Sequence, residues 1–262
     1  MKHGHWFVLG ATTLTVTLVG CAMRPAYQPK SGQQGKDMVW VPTPEDTVEA
    51  MLDLAGVTDL DYVIDLGSGD GRMVIGAARR GARALGIEYN GDLVDLSRWN
   101  ARQAGVRNLA RFREADIFET DFSDASVIML FMAPELIMKI RPQLLDMRPG
   151  TRIVSNTFLI GDDDDAWTPD ATQPATEGCQ TWCLAHLWIV PARVEGTWSL
   201  DGQPLVLSQD LQSVTGTLGG VALSDTSLIG AELTFTAGGR TYRGRVSDDG
   251  RTLAGVGWRA VR

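Results

Sequence analysis

A glycine-rich loop between an apolar run and a helical pattern holds the residues best suited to chemistry. The run Tyr62–Leu66 leads into Gly67, Gly69 and Gly71, which are spaced as GxGxG. Glycines at such a turn let the backbone bend sharply and approach a ligand closely. A dinucleotide fingerprint requires a small third residue at position 72, where this chain has Arg72. The loop therefore indicates a nucleotide-binding site, and its spacing disfavours NAD.

Acidic residues lie at the ends of three successive apolar runs or one residue from them. Asp65 stands two residues before Gly67, and Glu88 and Asp116 end the next two runs. The carboxyl ends of parallel strands share one edge of a sheet, so these acids can face one ligand. A carboxylate at Glu88 can accept hydrogen bonds from both ribose hydroxyls, and one at Asp116 from the exocyclic amine of adenine. Taken alone, such an acid is usually a solvated loop residue. The number of residues between the glycine loop and Glu88 is what favours a nucleoside site.

The elements that must position these residues are those of an α/β sheet. Between Val41 and Pro191, short apolar runs alternate with longer helical patterns. Strands are predicted over Tyr62–Leu66, Arg83–Glu88, Ala110–Ala115, Ser126–Phe131, Thr151–Phe158 and Thr181–Val190. Helices are predicted over Pro44–Ala55, Gly71–Arg80, Asp92–Ala104 and Pro134–Met147. The glycine loop then joins the first strand to the helix that follows it.

The C-terminal residues have a different pattern. After Pro191 the sequence is rich in Gly, Ser and Thr, and its apolar residues alternate with period two. Short strands with frequent turns are typical of a small antiparallel barrel or sandwich, and Gly238-Gly239 predicts a hairpin turn. The opening Gly196-Thr-Trp198 and the closing Trp258 faintly resemble lipocalin-like barrels, which bind apolar ligands or partners. We therefore predict a second domain over residues 191–262, without catalytic residues.

The N-terminal residues resemble a secretion signal. Residues 1–20 begin with a basic residue and continue through fifteen uncharged ones, too few to span a ~30 Å hydrocarbon core as a helix. The ending Leu18-Val-Gly-Cys21 resembles the bacterial lipobox, whose cysteine is acylated. That resemblance implies a lipid anchor at Cys21 and a place in the cell envelope, at the outer membrane or the periplasmic face. An ordinary signal or a misassigned start codon is the alternative, and an unused leader would leave the protein cytoplasmic. Residues 21–37, which are polar and rich in Gln, Gly and Pro, are interpreted as a tether.

The composition excludes several function classes. The chain has 24 Lys and Arg against 32 Asp and Glu, a formal net charge of −8, so we expect no nucleic-acid partner. Of three histidines only His186 lies beyond the leader, which excludes histidine-rich metal sites. Three cysteines cannot form a four-thiolate zinc site, so no metal is expected. Cys179 and Cys183 require a turn between them in order to pair.

The glycine loop and the acids together resemble a known enzyme family. Asp65-Leu-Gly-Ser-Gly-Asp-Gly71, Glu88 and Asp116 are similar to the three S-adenosylmethionine motifs of class I methyltransferases. The resemblance implies a Rossmann-like, seven-strand α/β sheet over residues 38–190, with S-adenosylmethionine as cofactor. It also implies that the cofactor-binding residues are Thr43, Asp65, Gly67, Ser68, Gly69, Gly71, Glu88, Tyr89, Asn90, Asp116 and Ile117.

Further segments resemble one branch of that family. This branch consists of the small seven-strand protein-lysine methyltransferases. Its members include the enzyme that modifies the ATP synthase c subunit, archaeal relatives and, more distantly, the histone methyltransferases of Dot1 type. The similar segments are Val41-Pro-Thr-Pro44, the GIEYN stretch ending at Asn90, Leu93-Val-Asp-Leu-Ser-Arg-Trp-Asn-Ala101 and Pro149-Gly-Thr-Arg-Ile-Val-Ser155. The resemblance implies methylation of a lysine amine.

This fold places a substrate-facing loop at the end of the fourth predicted strand. Phe131 and Pro134 match the aromatic-x-x-Pro of the lysine enzymes, but the asparagine that follows in those enzymes is absent. Glu135 is the candidate to compensate, so Phe131, Pro134 and Glu135 are the expected catalytic residues. The segment Ser155–Phe158 closes the next strand at the same rim, where a substrate contact and an ordinary strand end are equally favoured.

The leading hypothesis is a monomeric S-adenosylmethionine-dependent methyltransferase that modifies a protein lysine. The alternative is an exported lipoprotein binding module with a methyltransferase-like fold, whose C-terminal domain binds a lipocalin-type ligand. From Pro191 onward seven arginines balance seven acids, so the negative charge lies on the predicted catalytic domain. We therefore expect a basic protein as the methyl acceptor.

Overall fold

The computed structural model describes residue 1 and residues 27–161, 167–175 and 181–262. Residues 2–20 of the predicted signal peptide, Cys21 and Cys179 lie outside the described residues. Cys183 is disulfide-bonded. Within the described ranges, no helix is both long enough and apolar enough to cross a bilayer.

The first part of the chain alternates strands and helices. A short hairpin, β1 (Gln33–Gln34) and β2 (Val39–Trp40), precedes them. The elements that follow are α1 (Glu45–Leu54), β3 (Tyr62–Leu66), α2 (Arg72–Arg79), β4 (Arg83–Glu88), α3 (Gly91–Gln103), β5 (Ala110–Glu114), β6 (Val127–Leu130), α4 (Pro134–Leu145), β7 (Arg152–Asn156), β8 (Ala171–Pro174) and β9 (Leu184–Ile189).

Strands β3 to β9 form one seven-stranded sheet in the order β5-β4-β3-β6-β7-β9-β8. Strands β3 to β7 are parallel, and β9 runs antiparallel between β7 and β8. The seven-strand α/β sheet expected from the sequence is confirmed. The strand order reverses beside β3, and in such sheets ligands bind at the carboxyl ends of the strands near the reversal.

Six strands and four helices of this sheet agree closely with the sequence predictions, and one strand was not predicted. Strand β8 lies at the sheet edge, and Thr172, Gln173 and Pro174 are exposed. An exposed edge strand buries no regular apolar face, so it leaves no periodic signal in the sequence. The predicted strand Thr181–Val190 begins only at Leu184.

Both faces of the sheet are buried, as in other parallel sheets. Successive residues of β3 illustrate this, because Val63 packs with α1, α2 and α3 while Ile64 packs with α4 on the other face. Alternation along β7 is the same, with Val154 on the first face and Ile153 on the second. These two clusters hold the strand ends, and hence the acids that follow them, in fixed positions.

The last glycine of the loop is required by packing as well as by backbone conformation. Gly71 has φ +85° and precedes the first residue of α2. A Cβ at this position would lie 2.7 Å from Cε1 of Phe112 and 2.9 Å from Cβ of Ser97. The helix can therefore start directly after the loop only where position 71 carries no side chain.

We expect Gly71→Ala to lower the free energy of unfolding by about 2–5 kcal/mol, because left-handed strain adds to overpacking. Gly105→Ala is the matched control, since Gly105 has φ +75° and a Cβ added there would meet no atom within 4 Å. That control should lose only about 1–2 kcal/mol, the cost of the conformation alone. Urea unfolding measures both, and equal losses would show that packing at Gly71 is unimportant.

The C-terminal residues form a separate antiparallel sheet. Its strands are β10 (Gly196–Leu200), β11 (Gln203–Asp210), β12 (Ser213–Leu218), β13 (Val221–Ala222), β14 (Ser224–Ile229), β15 (Glu232–Ala237), β16 (Arg240–Val246), β17 (Thr252–Gly255) and β18 (Trp258–Val261). The last strand pairs back with the first, giving the order β13-β12-β11-β10-β18-β17-β16-β15-β14. Gly238 and Gly239 form the predicted hairpin turn between β15 and β16.

Aromatic side chains fill the interior of this second sheet. Trp198 and Phe235 are fully buried, and the Phe235 ring stacks on Tyr242 with 4.9 Å between ring centroids. The Trp258 ring meets Tyr242 edge-on at 5.5 Å. Trp198 and Trp258 are thus core residues of a filled, barrel-like sheet.

The two sheets contact each other at the edge where the parallel strands begin. A Cβ at Gly230 would lie 3.0 Å from Cα of Gly150, which precedes β7. Gln212 donates a hydrogen bond to the Thr168 carbonyl oxygen at 2.7 Å. The glycine loop follows β3 at the carboxyl ends of the parallel strands, which is the opposite side of the sheet. The C-terminal sheet therefore lies away from the loop.

Candidate functional site

The glycine loop is held against the end of β4 by backbone hydrogen bonds. Gly67 N and Ser68 N both donate to the carbonyl oxygen of Ile87, at 2.9 and 3.0 Å. Gly67 and Gly69 adopt φ of +85° and +54°, which glycine alone adopts without strain. The loop thereby exposes backbone atoms, rather than side chains, to the space above the sheet.

Glu88 joins this loop to the start of α3. Its Oε2 accepts a hydrogen bond from Gly69 N and its Oε1 accepts one from Asn90 N, both at 2.9 Å. The Asn90 side chain in turn accepts from Asp92 N and caps the helix. Each carboxylate oxygen retains a lone pair, so Glu88 can still accept hydrogen bonds from a ligand diol.

Asp65 is a buried carboxyl group without a hydrogen-bond donor among the described residues. Its side chain is almost completely buried. Burial, followed by the charges of Glu88 and Asp70, raises the pKa of Asp65 to about 8. A carboxyl group in this state is protonated at neutral pH. A cation bound next to it would lower its pKa and stabilise its ionised form.

Arg72, the residue that departs from the dinucleotide pattern, connects the loop to the N-terminal segment. Its guanidinium contacts the Asp70 carboxylate at 2.7 Å and donates to the Thr43 carbonyl oxygen at 2.6 Å. Thr43 belongs to the Val41–Pro44 segment and is buried. The large side chain at position 72 therefore has a structural role.

These elements enclose a cavity of about 400 Å³. Most of the predicted cofactor residues line it, together with Phe131; they are Thr43, Asp65, Gly67, Ser68, Gly69, Glu88, Tyr89, Asn90, Asp116 and Ile117. Gly71 lies behind the wall, where it serves packing. Pro134 and Glu135 lie outside the lining, exposed at the first turn of α4. No residue of the C-terminal sheet lines the cavity.

The hairpin β1–β2 forms a second wall that the sequence did not indicate. Residues 33–37, which were interpreted as part of a tether, line the cavity with residues 38–43. Lys36 Nζ lies 2.5 Å from Asp116 Oδ2 and 4.5 Å from the centre of the Tyr89 ring. The hydrogen bond from Lys36 lowers the pKa of Asp116. Trp40 Nε1 lies 2.6 Å from the point where Gly69 would carry a Cβ. The apolar run at 39–42 is the one sequence signal from which this contact could have been predicted.

Aromatic rings from three elements meet beside Phe131. The Phe131 ring lies 6.1 Å from that of Phe158, between centroids, and 5.5 Å from that of Trp182. Phe158 and Trp182 are also 5.5 Å apart. Asn156, at the end of β7, is fully buried. The structure thus brings Phe131 together with the segment after β7, as the sequence suggested.

Three comparisons with known proteins agree on the enzyme family. The family model described as the ANTKMT methyltransferase domain matches residues 65–171. A protein-lysine N-methyltransferase of Saccharolobus islandicus is 35% identical over 142 residues, which cover 53% of this chain and 86% of that protein. The lysine N-methyltransferase of the ATP synthase c subunit from Mus musculus is 37% identical over 111 residues. That match covers 42% of this chain and only 43% of the mouse enzyme.

A solved structure gives the same fold with a different description. It is described as an RNA methyltransferase from Salinibacter ruber in complex with S-adenosyl-L-homocysteine. It is 44% identical to this chain, with a TM-score of 0.53, and the match covers 58% of this chain and 94% of that one. The relatives therefore agree on methyl transfer, the solved structure contains the product form of S-adenosylmethionine, and the descriptions differ in the acceptor.

Proposed function

We propose that this chain, which belongs to the class I S-adenosylmethionine-dependent methyltransferases, methylates a lysine amine of a basic protein. The observation that carries the proposal is the cavity on which Asp65, the glycine loop and Glu88 converge. The lysine acceptor rests on the similarity to the protein-lysine methyltransferases and on the charge around the cavity.

The residues around the cavity fit S-adenosylmethionine. The buried Asp65 carboxyl group matches the α-ammonium of the methionine part, and the Glu88 carboxylate matches the ribose diol. Ser68 lines the cavity through the loop, while its Oγ is buried over Gly86 of β4. Asp116 and Ile117 would border the adenine. When bound there, the cofactor supplies a methyl group already activated on a sulfonium.

Methyl transfer to an amine requires little acid–base catalysis by the protein. The C–N bond forms as the C–S bond breaks, and the leaving thioether is neutral. The chain therefore contributes mainly alignment and exclusion of water. Phe131 lies in the cavity wall, where it would offer an apolar surface to the methyl group. The amine must arrive without its proton, which is lost to solvent.

The charges around the cavity favour a basic protein over RNA. Five acids line it, namely Asp37, Asp65, Asp70, Glu88 and Asp116. The two cations in the lining are paired with those acids: Lys36 contacts Asp116 and Asp37, and Arg72 contacts Asp70. Because Asp65 is protonated at neutral pH, four carboxylates face two paired cations in the lining. This excess of negative charge attracts a basic polypeptide, and these lining residues offer a phosphate backbone no unpaired cation.

Two measurements test the proposal. Calorimetry on the full-length chain should show binding of S-adenosylhomocysteine; no binding would remove the enzyme assignment. Tritiated S-adenosylmethionine, added with the chain to an extract of a strain lacking the gene, should then label material that protease destroys and ribonuclease leaves intact. Label that ribonuclease removes would overturn the protein acceptor in favour of RNA.

We further propose that Cys21 carries a lipid anchor and places the enzyme in the cell envelope. The support is the lipobox-like ending at Cys21, a position outside the described residues. Palmitate labelling should mark the wild-type chain and not Cys21→Ala, and equal labelling of the two would reject the anchor. The alternative of a ligand-binding barrel has no support in the C-terminal sheet, whose interior is filled by its own side chains.

The hairpin β1–β2 should slow the release of cofactor product. We expect Lys36→Ala to raise the dissociation rate of S-adenosylhomocysteine about three- to tenfold, since it removes the contact with Asp116 that holds the hairpin down. Lys30→Ala is the control, because Lys30 is an exposed lysine that precedes the same hairpin and lies outside the cavity lining. Stopped-flow displacement measures both rates, and similar acceleration in the two variants would argue against a hairpin lid.

A further inference from the structure

A half-buried aromatic patch extends from the cavity wall to the surface. Its members are Phe131, Phe158 and Trp182, each partly exposed, with ring centroids 5.5–6.1 Å apart. Of the three, only Phe131 lines the cavity. An alkyl chain lying along this patch would reach the cavity at Phe131 with its far end still at the surface.

One buried polar side chain lies beside this patch without a partner. Asn156 is fully buried, and its Nδ2 has no hydrogen-bond partner within the described part of the chain. Its Oδ1 accepts from the Thr157 hydroxyl at 2.9 Å. An amide nitrogen left unpaired in a core is costly, so a ligand contact is the physical reason to retain one.

Strand register places Asn156 next to Phe131. Leu130 of β6 pairs with Ser155 of β7, so Phe131 and Asn156 follow at the same level on adjacent strands. Val154 and Phe131 belong to the same cluster, whereas Ile153 packs on the opposite face. Asn156 therefore shares the face of Phe131, and Ser155 points to the other one.

The backbone around the patch is held in unusual conformations. Thr157 and Trp182 have φ of +65° and +59°, which side-chain-bearing residues rarely adopt. The buried Thr47 hydroxyl donates to the Trp182 carbonyl oxygen at 3.1 Å, and His186 forms a hydrogen bond with the Thr157 backbone. Strain retained by such contacts is typical of a ligand-binding position.

We propose that Phe131, Phe158 and Trp182 form the slot for the acceptor side chain, and that Asn156 positions the acceptor amine. The rings hold the alkyl chain. Asn156 has no exposed surface and does not line the cavity, so the entering amine must displace a neighbouring side chain to reach it. The Asn156 carbonyl oxygen then accepts an amine N–H and orients the lone pair toward the methyl group. A half-turn of the amide then lets its nitrogen donate to the Thr157 hydroxyl, so no polar group stays unpaired. This inference rests on the proposed function.

Bisubstrate probes test the slot without knowledge of the natural acceptor. Each is an S-adenosylhomocysteine analogue with nitrogen in place of sulfur, carrying a methyl, a 2-(butylamino)ethyl or an n-heptyl arm. The last two arms differ only in an NH replaced by CH₂. In the wild-type chain we expect both long arms to bind about tenfold tighter than the methyl probe, and the amine arm about tenfold tighter than heptyl.

The variants separate the two roles. Phe158→Ala and Trp182→Ala should each reduce the gain of both long arms about fivefold. Asn156→Leu should abolish the preference for the amine arm and leave heptyl binding within twofold. Ser155→Ala is the matched control, because its hydroxyl is equally buried and unpaired but faces away, and it should change nothing. Affinity for the methyl probe reports whether each variant is folded.

The outcomes distinguish failure of the proposed slot from failure of the proposed methyltransferase function. Failure of the methyl probe to bind the wild-type chain would reject the methyltransferase assignment itself. Normal methyl-probe binding with no gain from either long arm would reject the slot alone. An unchanged amine preference in Asn156→Leu, or an equal loss in Ser155→Ala, would overturn the role of Asn156.

Discussion

Asparagine in place of Asp65 is expected to stabilise the cofactor-free protein and to weaken cofactor binding about 100-fold. Burial and the charges of Glu88 and Asp70 raise the pKa of Asp65 to about 8, far above the value of an unfolded aspartate. The contribution of Asp65 to the free energy of unfolding is therefore highest below about pH 4, where Asp65 is protonated in both the folded and the unfolded state. It falls as the pH rises to 8, because only the unfolded state loses the proton over that range. Asparagine cannot ionise, so the variant should become more stable than wild type by about 2–5 kcal/mol at pH 8.

Cofactor binding should show the opposite dependence. The ammonium of the methionine part pairs only with an ionised Asp65, so wild-type affinity should rise between pH 6 and 8, by up to about tenfold per unit. Asp65→Asn should bind weakly and with little pH dependence. Calorimetry in buffers of different ionisation enthalpy would detect the released proton in wild type only. Identical proton release in the two proteins would exclude Asp65 as the titrating group.

Glutamine in place of Glu88 is expected to reduce cofactor affinity about 100-fold, because the carboxylate accepts two backbone N–H bonds besides those proposed from the ribose hydroxyls. The amide must turn its own NH₂ toward one of these donors, which disturbs the glycine loop. The variant should also lower the pKa of Asp65, since the Glu88 charge is one of its causes. The pH at which affinity levels off should therefore fall below about 8.

Glu114→Gln is the matched control for Glu88→Gln. Glu114 pairs in register with Glu88 on the neighbouring strand but does not line the cavity. Its replacement should change the dissociation constant for S-adenosylhomocysteine less than twofold. A comparable loss in both variants would indicate a general charge effect of the sheet edge. Fluorescence titration at fixed ionic strength is sufficient to separate these results.

The sheet was predictable because its strands bury both faces. Runs such as Tyr62–Leu66 are apolar along most of their length, and the glycines after them interrupt the pattern at a definite residue. Of the acids that line the cavity, Asp65, Glu88 and Asp116 were predictable for the same reason, since each lies at the end of an apolar run or one residue from it. Strand β8 was not, because it is exposed along most of its length and its position depends on pairing with β9.

The cavity wall formed by the N-terminal hairpin could not be predicted from the local sequence pattern. Its strands have two residues each, and the polar stretch that contains Lys36 has the composition of a linker. What holds it in place is contact with residues distant in sequence, Asp116 and Gly69 above all. The position of Asn156 beside Phe131 is similar, because it depends on the register of β6 against β7.

The hairpin also determines how far the active site can lie from an anchor. If Cys21 is acylated as proposed, twelve residue steps separate it from Gln33 in the cavity wall, and a fully extended chain spans about 40 Å over that distance. The free spacer is therefore shorter than the 17 residues that composition alone assigns to it. An enzyme joined to the membrane by a spacer of this length would reach only acceptors at or near the membrane surface.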